Sequence, residues 1–478
     1  MVTTKCIAWY NYSMQTTSTY KTKILYYNEI FSQTLSVYNQ AVSYLIDVVY
    51  QNRADIFALN GKKQNNYLER LCIKTKKNPD PPYDFSKRFY KFPSYYRRAA
   101  MQFALGHVQS YLTKLYAWAK SGNHKNKPGL QAKHRAFPVL YNAQSFKRVD
   151  DYTVQIKILH QNDWVWLNVN LKPRDVSYIK RHCTQKAAKA PTLIKKGKCW
   201  YLHTPYTEQV VLSDNKSVPS KIAAVDLGIN SSAVCSIMHT DGTVSGRKFI
   251  NQPEEKDRLS HLLGQIKKSQ TKGAVRNKRL WALANNKNRE IAVRTASAIV
   301  EFAVKNKAEV IVLEHLDMRG KKKGGNKQKL QLWRNKEVVS RVTHKAHQAG
   351  IRVSTINARN SSKLAFDGSG KVKRDSANAS ICVFSSGKQY NCDLSASYNI
   401  GARYFVRETI KSLPETVELA VLAKVPELAK RTTCTLSSLI SLNAELNALL
   451  LPDSEFCALR TTANSLPKAG EAPSKLLA

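Results

Sequence analysis

Apolar residues recur at helical spacing from about Tyr20 to Val49, at Ile24, Tyr27, Ile30, Phe31, Leu35, Tyr38, Ala41 and Leu45. That period predicts a helix. The run TKCIAWYNY before it, residues 4–12, reads as a strand. A loop rich in Lys, Asn and Pro follows and ends at Pro81 and Pro82. Pro93 and Ser94 then open a second helix, predicted to run to about Ala119. Gly, Asn, Lys and Pro break the pattern at 121–131. From about Phe137 to Val211 the period becomes two, in the runs YTVQIKI, DWVWLNVNL and PTLIKKGKCWYLHTPY, whose spacing predicts a small barrel or sandwich.

Near Ser220 the texture changes again. KIAAVDLG, SAVCSIM and TVSGRKFI read as three strands, followed by two long basic helical stretches to about Lys307. AEVIVLEHL is a fourth strand, 335–349 a helix and GIRVSTI a fifth strand. An irregular stretch, 357–392, precedes a last helix at 393–410. Three strands, helix, strand, helix, strand, helix is the order of an RNase H-like sheet. From Lys411 a tail carries helical apolar spacing in LSSLISLNAELNALLL. No internal repeat is visible.

Composition adds a partner. The 478 residues are 43% hydrophobic, enough for cores in several domains. Lys and Arg number 76 against 34 acids, a net charge of +42. A surface that basic calls for a polyanion, by default nucleic acid. The excess is +22 over residues 1–220, +20 over 221–410 and zero beyond, so it points to a long channel rather than one groove-reading helix. The nine cysteines form no C-x-x-C pair, which argues against a disulfide scaffold and an intact zinc ribbon and suits a reducing cytoplasm. No signal peptide and no apolar membrane span are expected.

Three carboxylates stand out. Asp226 ends the first strand, Glu314 ends the fourth and Asp393 opens the last helix. Cutting a phosphodiester needs an activated water and a stabilised leaving oxygen. Two Mg²⁺ ions about 4 Å apart supply both, and hard cations prefer carboxylate oxygens. In this strand order the first and fourth strands would be neighbours, with the last helix crossing them, so the three acids would meet at one edge. Asp317 lies past the strand end and reads as a capping or solvent-facing acid; Asp375 sits in the irregular stretch.

At these residues the chain resembles the TnpB family and the compact type V CRISPR effectors. AAVDLGIN, VIVLEHLD and DLSASYNIGARY resemble the family's first, second and third RuvC motifs, and the likeness runs from Lys221 to Phe405. Asp226, Glu314 and Asp393 fall on the family's metal-binding acids. The resemblance implies a multidomain α+β chain: a wedge β-barrel from 1–15 and 136–219, interrupted by a helical recognition lobe at 16–135; an RNase H-like RuvC α/β nuclease from 220–356 and 393–410; a zinc-ribbon-like insertion at 357–392; and a neutral helical tail at 411–478. The ribbon departs from the family. Leu364 and Asp367 stand where the first cysteine pair belongs, and Ser385 replaces the partner of Cys382. One cysteine cannot hold a structural zinc, so a metal-free remnant packed by Phe366, Val372, Ile381 and Phe384 is expected.

The function implied is an RNA-guided DNA endonuclease with one RuvC two-metal site using Mg²⁺, or Mn²⁺ in its place. Its partners would be a guide RNA and double-stranded target DNA, without a membrane; a homodimer stays open, and a DNA substrate would place it in the cytoplasm at the nucleoid. Guide pairing would read the target and the protein a short flanking motif. The alternatives are a guided repressor or targeting module without cleavage, and an unguided RNase H-like recombinase or resolvase. Cleavage-dead relatives lose acids that stand here, and an unguided enzyme leaves the basic first 220 residues without a task. Two groups are candidates for nucleic-acid contact. Tyr95, Tyr96, Arg97 and Arg98 open a helix whose counterpart in relatives lies near the flanking duplex. Lys287, Arg289 and Arg294 belong to a basic stretch, with Lys267, Lys268, Lys272, Arg276, Lys278 and Arg279, expected to border the cleft.

Overall fold

The computed structural model describes residues 13–25, 29–122, 126–130, 136–212, 218–316, 332–375, 378, 380–430 and 432–449. The strand expected at 4–12, Asp317 and the tail beyond 449 lie outside the described residues. The chain divides into two compact units, Thr17–Glu208 and the part from Gln209 onward joined by the first residues of the chain.

In the first unit the 3.6-residue period is realised as helix Ile30–Gln51, which packs on helix Ser94–Lys120 and on strand Thr153–His160. Phe31, Leu35, Tyr38, Val42 and Leu45 form its core with Ala100 and Ala104. The helix starts later than its spacing suggested. Residues Ser13–Lys23 are strand, and Ile24 bridges to Leu171. Short helices at Arg53–Ala58 and Lys62–Cys72 occupy the stretch read as loop.

The period-two runs pair as expected, but the described strands close no barrel. They form a three-stranded antiparallel sheet (Phe146–Arg148, Thr153–His160, Asp163–Asn170) and a four-stranded one that includes Ser13–Lys23 and Cys199–Val211. A helix at Pro173–His182 separates the two. Pro173 opens it, and Asp175 in its first turn accepts the backbone N–H of Lys23 at 2.9 Å.

The second unit is built on a five-stranded sheet. Its strands are β1 (Lys221–Asp226), β2 (Ala233–His239), β3 (Val244–Ile250), β4 (Val310–His315) and β5 (Arg352–Asn357). Their order is β3-β2-β1-β4-β5. The β3–β2 and β2–β1 pairs are antiparallel, while β1–β4 and β4–β5 are parallel. Between β3 and β4 run α1 (Pro253–Thr271) and α2 (Lys278–Lys305); α3 (Asn335–Gln348) precedes β5. Then come α4 (Cys392–Ser412), α5 (Glu415–Lys424) and α6 (Leu436–Leu449).

Strands covered on both faces must be apolar at every position, which is why β1 and β4 read as unbroken apolar runs. Ile222, Ala224, Val310 and Val312 face the layer of α4 and α6. Ala223, Val225, Ile311 and Leu313 face that of α2 and α3. Helix α4 approaches the sheet at Gly401, where a Cβ would stand 2.8 Å from Met238 Sδ and 3.2 Å from Ala224 Cβ. No helix among the described residues is long and apolar enough to cross a membrane.

The ribbon-like insertion forms a three-stranded sheet from 373–374, 381–383 and 389–391. Ala365, Cys382, Phe384 and Cys392 fill its core, with Phe366, Val372 and Tyr390 against them. Ile381 takes no place in that cluster. Asp367, at one of the altered cysteine positions, accepts the Ser386 hydroxyl at 2.9 Å and the Ser369 amide at 3.0 Å. Phe366 also meets Tyr398 of α4 edge-on, fastening the insertion to that helix.

Candidate active site

Asp226 is the last residue of β1 and Glu314 the penultimate residue of β4. The parallel register sets Val225 beside Leu313, so the acids follow at neighbouring positions on one edge. The turn after Asp226 is tight: a Cβ at Gly228 would stand 2.6 Å from the Ser231 carbonyl oxygen, so glycine is required there. Asp393 is the second residue of α4, whose start is fixed by Asn391 accepting the Leu394 N–H at 2.9 Å.

Asp226 and Glu314 are only 9% and 6% exposed. Burial pushes the Asp226 carboxyl well up, and the charges of Glu314 and Asp393 push it further. Burial also raises Glu314, against a hydroxyl bond from Ser361, whose Oγ lies 2.5 Å from Oε1. Burial acts on both carboxyls and each lies in the other's field, so Asp226 and Glu314 titrate as a pair rather than singly. Burial raises Asp393 too, and the Arg374 guanidinium and Ser231 draw it back down.

Among the described residues, no three His, Cys, Asp or Glu stand close enough to ligate one ion. Strand register sets Asp226 and Glu314 side by side, and the Asp393 charge acts on both from the start of α4. The donor chemistry fits a hard divalent cation. The set is all carboxylate and hydroxyl oxygen, and like charges are buried together in a way that only a proton or a cation relieves.

Sequence reasoning missed Arg374. It sits in the ribbon strand Lys373–Arg374, and its positive charge acts on both Asp226 and Asp393. Nothing in KVKRDS distinguishes it from its lysine neighbours. Ser361 was also missed, since a lone serine in a loop carries no signal.

The proposed nucleic-acid contacts fare differently. Tyr96 is a core residue: it is fully buried, packs on Trp164 and donates its hydroxyl to the Lys157 carbonyl at 2.7 Å. It cannot face a nucleic acid in this fold. Tyr95 packs on Tyr141, with the Arg98 guanidinium 5.2 Å from its ring centre. Arg98 pairs with Glu69 at 3.3 Å. Arg97 lies over Phe85, and its half-buried Nε has no hydrogen-bond partner among the described residues.

The three chosen helix cations are all paired internally. Lys287 pairs with Glu290 at 2.6 Å and Arg289 with Glu337 at 3.2 Å. Arg294 pairs with Glu255 at 2.6 Å and Glu290 at 2.8 Å. They brace α1, α2 and α3 against one another. By contrast, Lys267, Lys268, Lys272, Arg276, Lys278 and Arg279 crowd the exposed α1–α2 turn and have no ion-pair partner among the described residues.

Residues 18–160 match the Aq_aa04 family. The chain is similar to the TnpB-like protein aq_aa05 of Aquifex aeolicus (strain VF5), 28% identical over 241 residues, which are 45% of this chain and 77% of that protein. It is 26% identical to the uncharacterized protein aq_aa04 of the same organism over 162 residues, 28% of this chain and 88% of the other. Its fold is similar to that of the mini-RNA-guided endonuclease CRISPR-Cas_phi3, with a TM-score of 0.51 and 10% identity over 83% of this chain and 92% of that one.

Proposed function

We propose that this chain, a relative of the TnpB-like proteins with the fold of the compact type V effectors, is an RNA-guided DNA endonuclease with a single RuvC-type site. The observation that carries the reading is the burial of Asp226 and Glu314 at neighbouring ends of β1 and β4, with the charge of Asp393, from the start of α4, acting on both. No folding benefit explains two carboxyls buried side by side in a chain that has only 34 acids. The sheet order supports an RNase H-like reading of this unit. The net charge of +42 supports guide RNA and double-stranded DNA as partners.

Asp226 and Glu314 would hold divalent metal, Mg²⁺ or Mn²⁺, with Asp393 joining them. When bound, the metal supplies an activated water and stabilisation of the leaving oxygen. The protein's own part is to position and to balance charge. Strands β1 and β4 hold two acids in fixed register, and Ser361 orients Glu314 by donating to Oε1. Arg374 lays a fixed positive charge beside Asp226 and Asp393, where a phosphodiester would enter.

Two measurements test the reading. RNA that co-purifies with the protein from cells carrying its locus should contain a constant scaffold and a variable end. Asp226→Ala, Glu314→Ala and Asp393→Ala should each reduce cleavage to background while binding persists, and EDTA should stop the wild type. A guide-like RNA with no cleavage would instead support a targeting module. Random RNA fragments with cleavage would support an unguided nuclease.

A further inference from the structure

The C-terminal segment is neutral and carries no sign of a task in its sequence. Its contacts lead to the acids. Two buried polar residues of α4, one turn apart, each reach in two directions. Asn399 is 0% exposed and Arg403 5%. Asn399 donates through Nδ2 to the carbonyls of Ser361 (3.0 Å) and Leu364 (2.9 Å), and its Oδ1 accepts the N–H of Leu436 (3.3 Å). Arg403 donates through Nη1 to the carbonyls of Asn357 (3.0 Å) and Arg359 (2.9 Å). Its Nε and Nη2 donate to the carbonyls of Cys434 (3.0 Å) and Thr432 (2.9 Å). One side of each residue therefore holds the 357–364 loop, and the other holds the start of the C-terminal segment. In the middle of that loop Ser361 holds Glu314.

We propose that Thr432–Leu449 is a working part of the site, acting through Asn399 and Arg403 as positioning residues that clamp the Ser361 loop and so orient Glu314. This rests on the nuclease reading above. The physical ground is that each buried guanidinium donor left without an acceptor costs free energy. With the tail undocked, Arg403 would keep two donors without acceptors, and its easiest relief is to swing away from the loop. Docking of the tail and geometry of the loop are thus one equilibrium. Tail docking is itself hydrophobic: Leu439 and Leu442 of α6 are fully buried in the layer that contains Tyr404 and Phe405 of α4. A merely structural network would stabilise the fold without touching the acids. Here the Ser361 hydroxyl makes the last connection.

The test uses the full chain and two readouts: amide hydrogen exchange in EDTA, and binding of Mn²⁺ alone followed by electron paramagnetic resonance. Leu439→Asp should release the tail, and Asn399→Ala should cut the clamp. Both should speed exchange at 357–364 while the sheet stays protected. Both, and Ser361→Ala, should weaken Mn²⁺ affinity about 10–100-fold. Ser361→Ala changes little volume and keeps the fold, so it guards against loss of folding in the other two. In Ser361→Ala, adding Asn399→Ala should cause no further loss of affinity. The proposal is overturned if the tail opens while exchange at 357–364 stays slow, or if the loop loosens with Mn²⁺ affinity unchanged, or if the two substitutions add fully. Failure of the nuclease reading looks different: the wild type would then show no Mn²⁺ binding that Asp226→Asn removes. The exchange arm judges the clamp in either case.

Discussion

At Asp226 the fold sets a charge where only a proton or a cation makes it comfortable, so function is gained at the expense of stability. The direction with pH follows. A carboxyl whose folded pKa is raised binds its proton more tightly folded than unfolded. In EDTA, the contribution of Asp226 to stability should therefore be greatest below the ordinary carboxylate range near 4 and be lost as pH rises through its raised value. Asp226→Asn removes that loss. It should raise the melting temperature at pH 7.5 in EDTA, with each 1 kcal/mol appearing as about 2–4 °C, and leave it little changed at pH 4. An unchanged or lower melting temperature at pH 7.5 would show that Asp226 is not under this strain. Arg374 makes a second prediction. Arg374→Ala should slow single-turnover cleavage about 10²-fold, and Arg374→Lys less, with nucleic-acid affinity retained. An alanine variant of undiminished rate would remove Arg374 from the site. The acids were legible because a charge ending an apolar strand breaks a pattern. Arg374, Ser361, Asn399 and Arg403 were not, since each breaks no pattern and gains its role only from what the fold brings to it.

Among elements, the strands covered on both faces were the most legible, since continuous apolar runs bounded by polar residues admit few readings. The pairing of β1 with β4 followed from the order of elements alone. Shorter amphipathic pieces were not. PRDVSYIKRH lies between two of the period-two runs, yet with Val176 and Ile179 buried it forms a helix. The end of the first helix was misjudged because Ile24 keeps its periodic place while belonging to a strand bridge. That Asp367 would reach Ser386 was invisible, because the partner lies 19 residues away. The tight approach of α4 to the sheet makes a further prediction. Gly401→Val must push α4 off Met238 and Ala224, which should cost about 1–3 kcal/mol in chemical denaturation. It should also slow cleavage, because α4 carries Asp393. Wild-type stability would mean the helix has room to shift.

Over the whole molecule, net charge points to a polyanion but not to the cations that would meet it. Sequence shows how many lysines and arginines a helix carries; only packing shows which have already found an acid. Replacing Lys287, Arg289 and Arg294 together by Ala should lower stability and leave the salt dependence of nucleic-acid binding unchanged, since these side chains are held by Glu255, Glu290 and Glu337. Replacing Lys268, Lys272 and Arg276 should lower the salt slope by about 0.7–0.9 for each phosphate the variant no longer neutralises, with stability intact. The reverse pattern would put the polyanion on the braced faces of α2.

The same exposed turn between α1 and α2 lies between Asp226 in sequence on one side and Glu314 and Asp393 on the other. Val275 there is 92% exposed, and lysines and arginines surround it. A trypsin-like protease finds its cleavage sites offered at a loop tip, where a break is best tolerated. The two fragments would share no covalent bond, and neither would carry a complete set of acids. The β1–β4 ladder would be what reunites them. If the chain is the nuclease proposed above, splitting it at 273–275 should give halves that are inert apart and regain cutting on mixing, an on-switch set by the concentration of the two pieces.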